Sequence, residues 1–147
     1  MPRRRRALPV YFISRGLSRE AKWTGKMDKS EAVMNYQTLE RTIGHQFADI
    51  GLLDLAMTHP SYALQHKCQD NQRLEFLGDA VLEICVSRVL YHKYPKLREG
   101  QLTRKRAELV CEANLARAAT RLGLGSYLKL DRGEEVVGGR ENPSILA

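Results

Sequence analysis

The sequence of 147 residues has few of the features that mark membrane, secreted or zinc-binding proteins. No window approaches the roughly 18 consecutive apolar residues of a membrane-spanning helix, so we expect no such span. The three cysteines show no Cys-x-x-Cys spacing, and the four histidines show no zinc-ligand spacing. A scattered, odd set of cysteines indicates reduced thiols in an intracellular protein. Cys85 and Cys111 fall within helical patterns, so we expect both in the core.

Internal repeats and the alternating polar and apolar runs of β-strands are also lacking. Instead, apolar residues recur at helical spacing from Tyr36 onward. A chain with 43% apolar residues can bury a real core. The sequence therefore predicts an all-α domain over residues 36–147, built as a helical bundle around its longest helix.

The net charge of +7 comes from one end of the chain. Residues 1–29 contain nine Lys and Arg against two acids, whereas residues 30–147 contain fifteen of each. We interpret residues 1–35 as a basic, disordered arm. An organelle transit peptide and upstream sequence translated from an early start codon are the alternatives.

Because the rest of the chain is neutral overall, any contact with RNA must come from a local patch of cations. The candidate cations are Lys93, Lys96, Arg98, Arg104, Lys105 and Arg106. A solvated helix face explains these side chains about equally well.

Helical spacing and stop signals predict two long helices. The first covers residues 72–94 and ends before Pro95, and the second covers residues 99–122 and ends at Gly123. The other expected features are short helices near 39–47 and 50–57, polar loops at 67–70 and 131–139, and an apolar turn at 127–130. His59 is expected to hold a helix end through a hydrogen bond rather than to act as a catalytic base.

Two acids lie four residues apart in the first long helix, Glu75 and Asp79. On an α-helix this spacing is about 40° of rotation and about 6 Å of rise, so both carboxylates share one face. Like charges this close repel unless a cation or a basic side chain lies between them, and oxygen ligands suit Mg²⁺. A solvated pair is the alternative. The same helix has an apolar face, expected in the core, made of Leu74, Leu77, Val81, Ile84, Cys85 and Val89.

The stretch around these acids resembles the signature of the ribonuclease III family, the endonucleases that cut double-stranded RNA. Residues 71–82 read Asn-Gln-Arg-Leu-Glu-Phe-Leu-Gly-Asp-Ala-Val-Leu. Residues 55–61 are similar to the family's Ala-x-Thr-His-x-Ser element, and residues 98–110 are similar to its next helix. Residues 138–147 resemble the approach to its last catalytic helix.

The resemblance implies an all-helical nuclease domain that works as a homodimer on double-stranded RNA. It implies hydrolysis with Mg²⁺, for which Mn²⁺ is a possible substitute, leaving 5′-phosphates during processing of ribosomal and other structured RNA in the cytoplasm. No small-molecule cofactor is implied. Phe76 would fit a socket on the partner subunit, although ordinary core packing explains an aromatic residue there equally well.

The resemblance also implies roles for individual side chains. Glu75 would be a metal ligand, and Asp79 a catalytic carboxylate that positions a water or binds metal directly. Four further residues would lie near the site or contact RNA: Gln72, Glu99, Thr103 and Arg106.

Two departures from the family pattern affect these expectations. Many members have Glu at the position of Gln72, so one charge near the site is missing. The family's last catalytic helix brings a further Asp and Glu, which would lie just past Ala147. We therefore expect a nuclease domain that is incomplete at its C-terminal end and inactive or weakly active by itself. The alternative is a non-catalytic, truncated module that binds RNA or dimerises.

Overall fold

A computed structural model describes residues 35–147, so the predicted basic arm falls almost wholly outside the described residues. This part contains eight α-helices: α1 Gln37–Ile43, α2 Ile50–Ala56, α3 Pro60–His66, α4 Gln72–Lys93, α5 Glu99–Leu109, α6 Glu112–Leu122, α7 Arg132–Val136 and α8 Pro143–Leu146. Two 3-10 turns cover Leu124–Tyr127 and Gly139–Glu141. Extended pairing within residues 35–147 is limited to one parallel bridge between Thr58 and Lys129, which confirms the all-α class. None of these helices is long and apolar enough to cross a membrane.

The first long helix is confirmed within one residue of its predicted end. Helix α4 begins at Gln72 and ends at Lys93, because Pro95 cannot continue it. Its C-terminal half packs against α5, where Leu90 is buried. The guanidinium of Arg106 on α5 donates to Ser87 Oγ at 3.0 Å and lies 4.0 Å from the Glu83 carboxylate. These contacts fix the angle between α4 and α5.

The prediction of a second long helix over residues 99–122 is wrong, because the chain bends between α5 and α6. Cys111 has an extended backbone, with φ of −70° and ψ of 151°, so the α5 hydrogen-bond ladder stops before it. The freed carbonyl of Glu108 accepts from the Cys111 thiol at 3.3 Å and from the side-chain amide of Asn114. Helix α6 then packs against α8 and α1.

The segment after α6 also differs from the prediction. The 3-10 turn ends at Tyr127, and Leu128 and Leu130 are buried on the extended segment that follows instead of forming a turn. The predicted polar loop contains α7, which begins where Asp131 Oδ1 accepts from the Glu134 amide at 2.8 Å. The last helix, α8, begins where Asn142 Oδ1 accepts from the Ser144 amide at 3.0 Å.

The compact core of this part forms where α1 and α2 meet. Tyr36, Leu39 and Leu53 are buried together, and four half-buried side chains pack around them, namely Phe47, Met57, Leu124 and Tyr127. The Tyr36 hydroxyl donates to Asp54 Oδ1 at 2.9 Å. Burial raises the pKa of Tyr36 above its ordinary value, and the hydrogen bond and negative charge of Asp54 raise it further.

The predicted core face of α4 is largely exposed, which corrects the sequence interpretation. Leu77 is 58% exposed and Ile84 is 67% exposed. Cys85 and Cys111 are exposed as well, so the prediction that they fill the core is wrong. Within residues 35–147, α4 packs mainly on α5, and no described element covers this face.

Candidate functional site

The two carboxylates of the signature project from the first turns of α4. Glu75 and Asp79 are both exposed, and neither side-chain carboxylate makes a hydrogen bond or an ion pair within residues 35–147. Their four-residue spacing puts them one turn apart on one face. An unpaired acidic pair of this kind has its oxygen lone pairs free for a cation.

Asn71 joins the beginning of α4 to the end of α2. Its backbone amide donates to the Thr58 carbonyl at 3.0 Å, and its side-chain amide donates to the Ala56 carbonyl at 3.2 Å. Its own carbonyl accepts from the Glu75 amide at 2.9 Å. Asn71 therefore links the turn that carries Glu75 to the end of α2 and to Thr58, just beyond it. This role of Asn71 is not predictable from the sequence, because Asn before a helix is usually a cap.

The Ala-x-Thr-His-x-Ser element forms the base to which α4 is joined. His59 Nδ1 accepts from the Ser61 amide at 3.2 Å at the start of α3, which confirms that this imidazole holds a helix end. On the other side of the element, the Lys129 amide donates to the Met57 carbonyl at 2.8 Å, and the His59 amide donates to the Lys129 carbonyl at 3.1 Å. Residues 57–61 thus tie α3, α4 and the segment before α7 together.

The other predicted site residues lie on α4 and α5. Gln72 is the first residue of α4, and its amide donates to Asp70 Oδ1 at 3.1 Å. On the exposed first half of α5, the Thr103 hydroxyl donates to Glu99 Oε1 at 2.8 Å. Arg106 is half-buried and already bonded to Ser87, so it braces α4 against α5 whatever else it contacts.

Metal ligands are few in the described part of the chain. Residues 35–147 contain no group of three or more His, Cys, Asp and Glu side chains placed to hold one ion. Glu83 continues the stripe of Glu75 and Asp79 by one turn, but it lies 4.0 Å from the Arg106 guanidinium. Glu75 and Asp79 are therefore the carboxylates of this stripe that remain free for a cation.

The charges of the folded part are unevenly distributed. Residues 88–106 carry seven Lys and Arg and one Glu, a net charge of +6, in a stretch of 30–147 that is neutral overall. Lys93 Nζ and Lys105 Nζ lie 5.6 Å and 5.1 Å from the centroid of the Tyr94 ring. This basic segment spans the end of α4, the connection and most of α5, whereas Glu75 and Asp79 lie at the start of α4.

Phe76 is 82% exposed although it is a large aromatic side chain. It lies beside Glu75 and is followed by the exposed Leu77. Ile84, about two turns further along α4, is exposed as well, and exposed apolar side chains at helical spacing indicate a contact surface for another chain or element.

Comparisons with known proteins agree with this geometry. A family model described as Ribonuclease-III-like matches residues 49–147. A protein of Heliobacterium modesticaldum named Ribonuclease 3 is 54% identical over 112 residues, which is 74% of this chain and 48% of that protein. A Bacillus cereus protein of the same name is 50% identical over 115 residues, covering 76% of this chain and 47% of that protein. The chain spans about half the length of these curated relatives.

Solved structures give the same result. Two structures of the nuclease domain of ribonuclease III from Campylobacter jejuni are each 45% identical to this chain. One has a TM-score of 0.72 and covers 76% of both chains, and the other has a TM-score of 0.70 and covers 76% of this chain and 74% of that one. The family model, the sequence identity and the shared helical fold together show that the chain belongs to the ribonuclease III-like family.

Proposed function

We propose that this protein is an endonuclease that cleaves double-stranded RNA by metal-dependent hydrolysis of the phosphodiester. The observation that carries the proposal is the acidic pair of α4. Glu75 and Asp79 are exposed, share a helix face and lack a partner within residues 35–147. Two acids kept together without a counter-charge weaken a helix slightly, so a role in binding a cation explains them better than stability does.

Mg²⁺ fits this donor set. It is commonly bound by one or two carboxylates, with water and phosphate oxygens completing its shell. When bound, the ion would acidify a water and neutralise charge on the scissile phosphate. Glu75 would hold the ion, and Asp79 would hold it or orient a water through a hydrogen bond. Mn²⁺, which prefers the same oxygen ligands, is the expected substitute.

The Lys and Arg side chains of the basic segment, residues 88–106, would bind the phosphates of the RNA backbone. Double-stranded RNA is recognised by its shape, its phosphates and its 2′-hydroxyls, so base-specific side chains are not required. The exposed Thr103 hydroxyl can contact a phosphate once it turns from Glu99. Because Arg106 is braced against α4, we expect it to fix the direction of this surface as well as to add charge.

The exposed apolar face of α4 would be covered by a second copy of the chain. Phe76, Leu77 and Ile84 are each more than half exposed, a cost that a partner surface would remove. One of the solved relatives is described by flexibility in a region involved in dimer formation of that protein. A homodimer would bring two acidic pairs to one RNA duplex.

One observation favours a second function, a non-catalytic module that binds RNA or dimerises. The described residues lack a third carboxylate placed with Glu75 and Asp79. Such a module would keep the basic segment and the apolar face but would not hydrolyse RNA.

Cleavage by a chimera tests the proposal. In the chimera, residues 36–147 of this chain replace the aligned segment of the Heliobacterium relative. The parts of that relative on either side of the segment are kept. We expect Mg²⁺-dependent cleavage of a radiolabelled RNA duplex and 5′-phosphate products. Asp79→Asn should slow cleavage by about 10²–10⁴-fold and leave duplex binding nearly unchanged, because binding rests on phosphate and 2′-hydroxyl contacts.

The matched control is Asp49→Asn, the same substitution at an exposed position. Asp49 caps α2 by accepting from the Gly51 amide at 2.9 Å, and Asn caps a helix about as well. Its cleavage rate should match that of the parent chimera. Duplex binding without cleavage by the parent would instead support the non-catalytic module.

A further inference from the structure

The side chain of Asn71 is used in a way that helix stability does not explain. Asn at this position normally accepts a hydrogen bond from an amide of the first helical turn. Here the side chain caps nothing, and its amide nitrogen donates to the Ala56 carbonyl of α2 instead. Its Oδ1 atom is buried without a hydrogen-bond partner among the described residues. The arrangement gives up a cap and leaves an acceptor unsatisfied, both of which disfavour the folded state.

Little else in the described part of the chain supports the first turns of α4. Every residue from 75 to 81 is exposed, and Leu74 is only half-buried. Packing on α5 begins further along, where Glu83 and Ser87 meet Arg106. The hydrogen bonds of Asn71 are therefore the main link between the acidic turns and the folded body.

We infer that Asn71 is a positioning residue that holds the first turns of α4, and with them the carboxylates of Glu75 and Asp79, in one place. The inference rests on the proposed function, because two carboxylates hold one ion well only if their helix turns do not move. Asn71 acts through two hydrogen bonds: its carbonyl accepts from the Glu75 amide, and its side-chain amide donates to the Ala56 carbonyl.

Asn71→Ser separates positioning from stability. Serine caps a helix about as well as asparagine, but it is too short to replace the link to Ala56. It keeps the backbone bond to Thr58 and removes the unsatisfied Oδ1. We therefore expect the midpoint of thermal unfolding to stay the same or rise while α4 loosens at its start.

Two measurements on the 147-residue chain read out the position of the acids. In ¹⁵N relaxation, the order parameters at Glu75 and Asp79 should fall from about 0.85 toward 0.6 in Asn71→Ser. In titrations with Mn²⁺ alone, the concentration that half-broadens their NMR signals should rise about tenfold.

The matched control is Asn142→Ser, the same substitution at an Asn that caps α8 in the usual way. It should change neither quantity at Glu75 or Asp79. Unchanged order parameters in Asn71→Ser would overturn the positioning role. Asn71→Asp is a second variant that cannot donate to the Ala56 carbonyl, and loss of folding in both variants would also overturn that role. If the unsubstituted chain shows no Mn²⁺ effect at these acids, the metal site fails, and the order parameters still decide the role of Asn71.

Discussion

Asp54→Ala should be among the most destabilising single substitutions in the described part of the chain. The Asp54 carboxylate accepts from the Tyr36 hydroxyl at 2.9 Å and from Lys129 Nζ at 2.6 Å, so one side chain joins α1, α2 and the segment before α7. The side chains of Lys129 and Asp54 are 17% and 18% exposed, so water screens the pair only in part. The substitution would leave an ammonium and a hydroxyl without their acceptor.

The size of the effect follows from these contacts. Removing one member of a buried ion pair costs about 3–5 kcal/mol, and partial exposure lowers the cost, so we expect about 3 kcal/mol for Asp54→Ala. That loss would lower the unfolding midpoint by about 12 °C in a domain of this size. Urea unfolding followed by far-ultraviolet circular dichroism measures the loss of free energy of unfolding. The slope of that free energy against urea concentration should be unchanged.

Asp49→Ala is the control for the loss of an aspartate. It removes an exposed cap and should cost about 1 kcal/mol. A free energy of unfolding for Asp54→Ala no lower than that for Asp49→Ala would refute the reasoning, since it would show that the Tyr36–Asp54–Lys129 contacts add nothing to stability.

Three further predictions concern stability and assembly. Because the pKa of Tyr36 is raised on folding, its contribution to the free energy of unfolding is complete below about pH 10 and is lost at higher pH. The free energy of unfolding of Tyr36→Phe should therefore fall less steeply above pH 10, as measured in alkaline titrations followed by circular dichroism. Gly125→Ala should destabilise by about 1–3 kcal/mol in urea, because a Cβ would overlap the Arg140 carbonyl, whereas Gly100→Ala in the open space of α5 should not. Phe76→Lys should convert a dimeric chimera to monomer in sedimentation experiments; a persistent dimer would exclude Phe76 from the interface.

The parts of the fold that could be predicted are those with strong local signals. Helix α4 was found because its apolar residues keep helical spacing over 22 residues and Pro95 stops it. The bend at Cys111 could not be found, since helix formers flank it without Gly or Pro. It is set by side chains that bond the Glu108 carbonyl, and such contacts have no simple pattern.

The candidate site was predictable only in its acids. Glu75 and Asp79 stand out by spacing, but the role of Asn71 depends on a backbone carbonyl 15 residues away, which any sequence offers. The pairing of Asp54 with Lys129 joins residues 75 positions apart and is equally invisible. Periodicity identified the apolar face of α4 but could not say whether this chain or another covers it.

The central claim is that Glu75 and Asp79 hold the metal that hydrolyses RNA, and the Mg²⁺ dependence of cleavage tests it most directly. In the chimera, Glu75→Gln removes one charge and keeps one oxygen. The Mg²⁺ concentration for half-maximal cleavage should rise about 10–100-fold, and more metal should restore part of the rate. An unchanged half-maximal concentration would contradict the claim, because the metal would then be bound elsewhere.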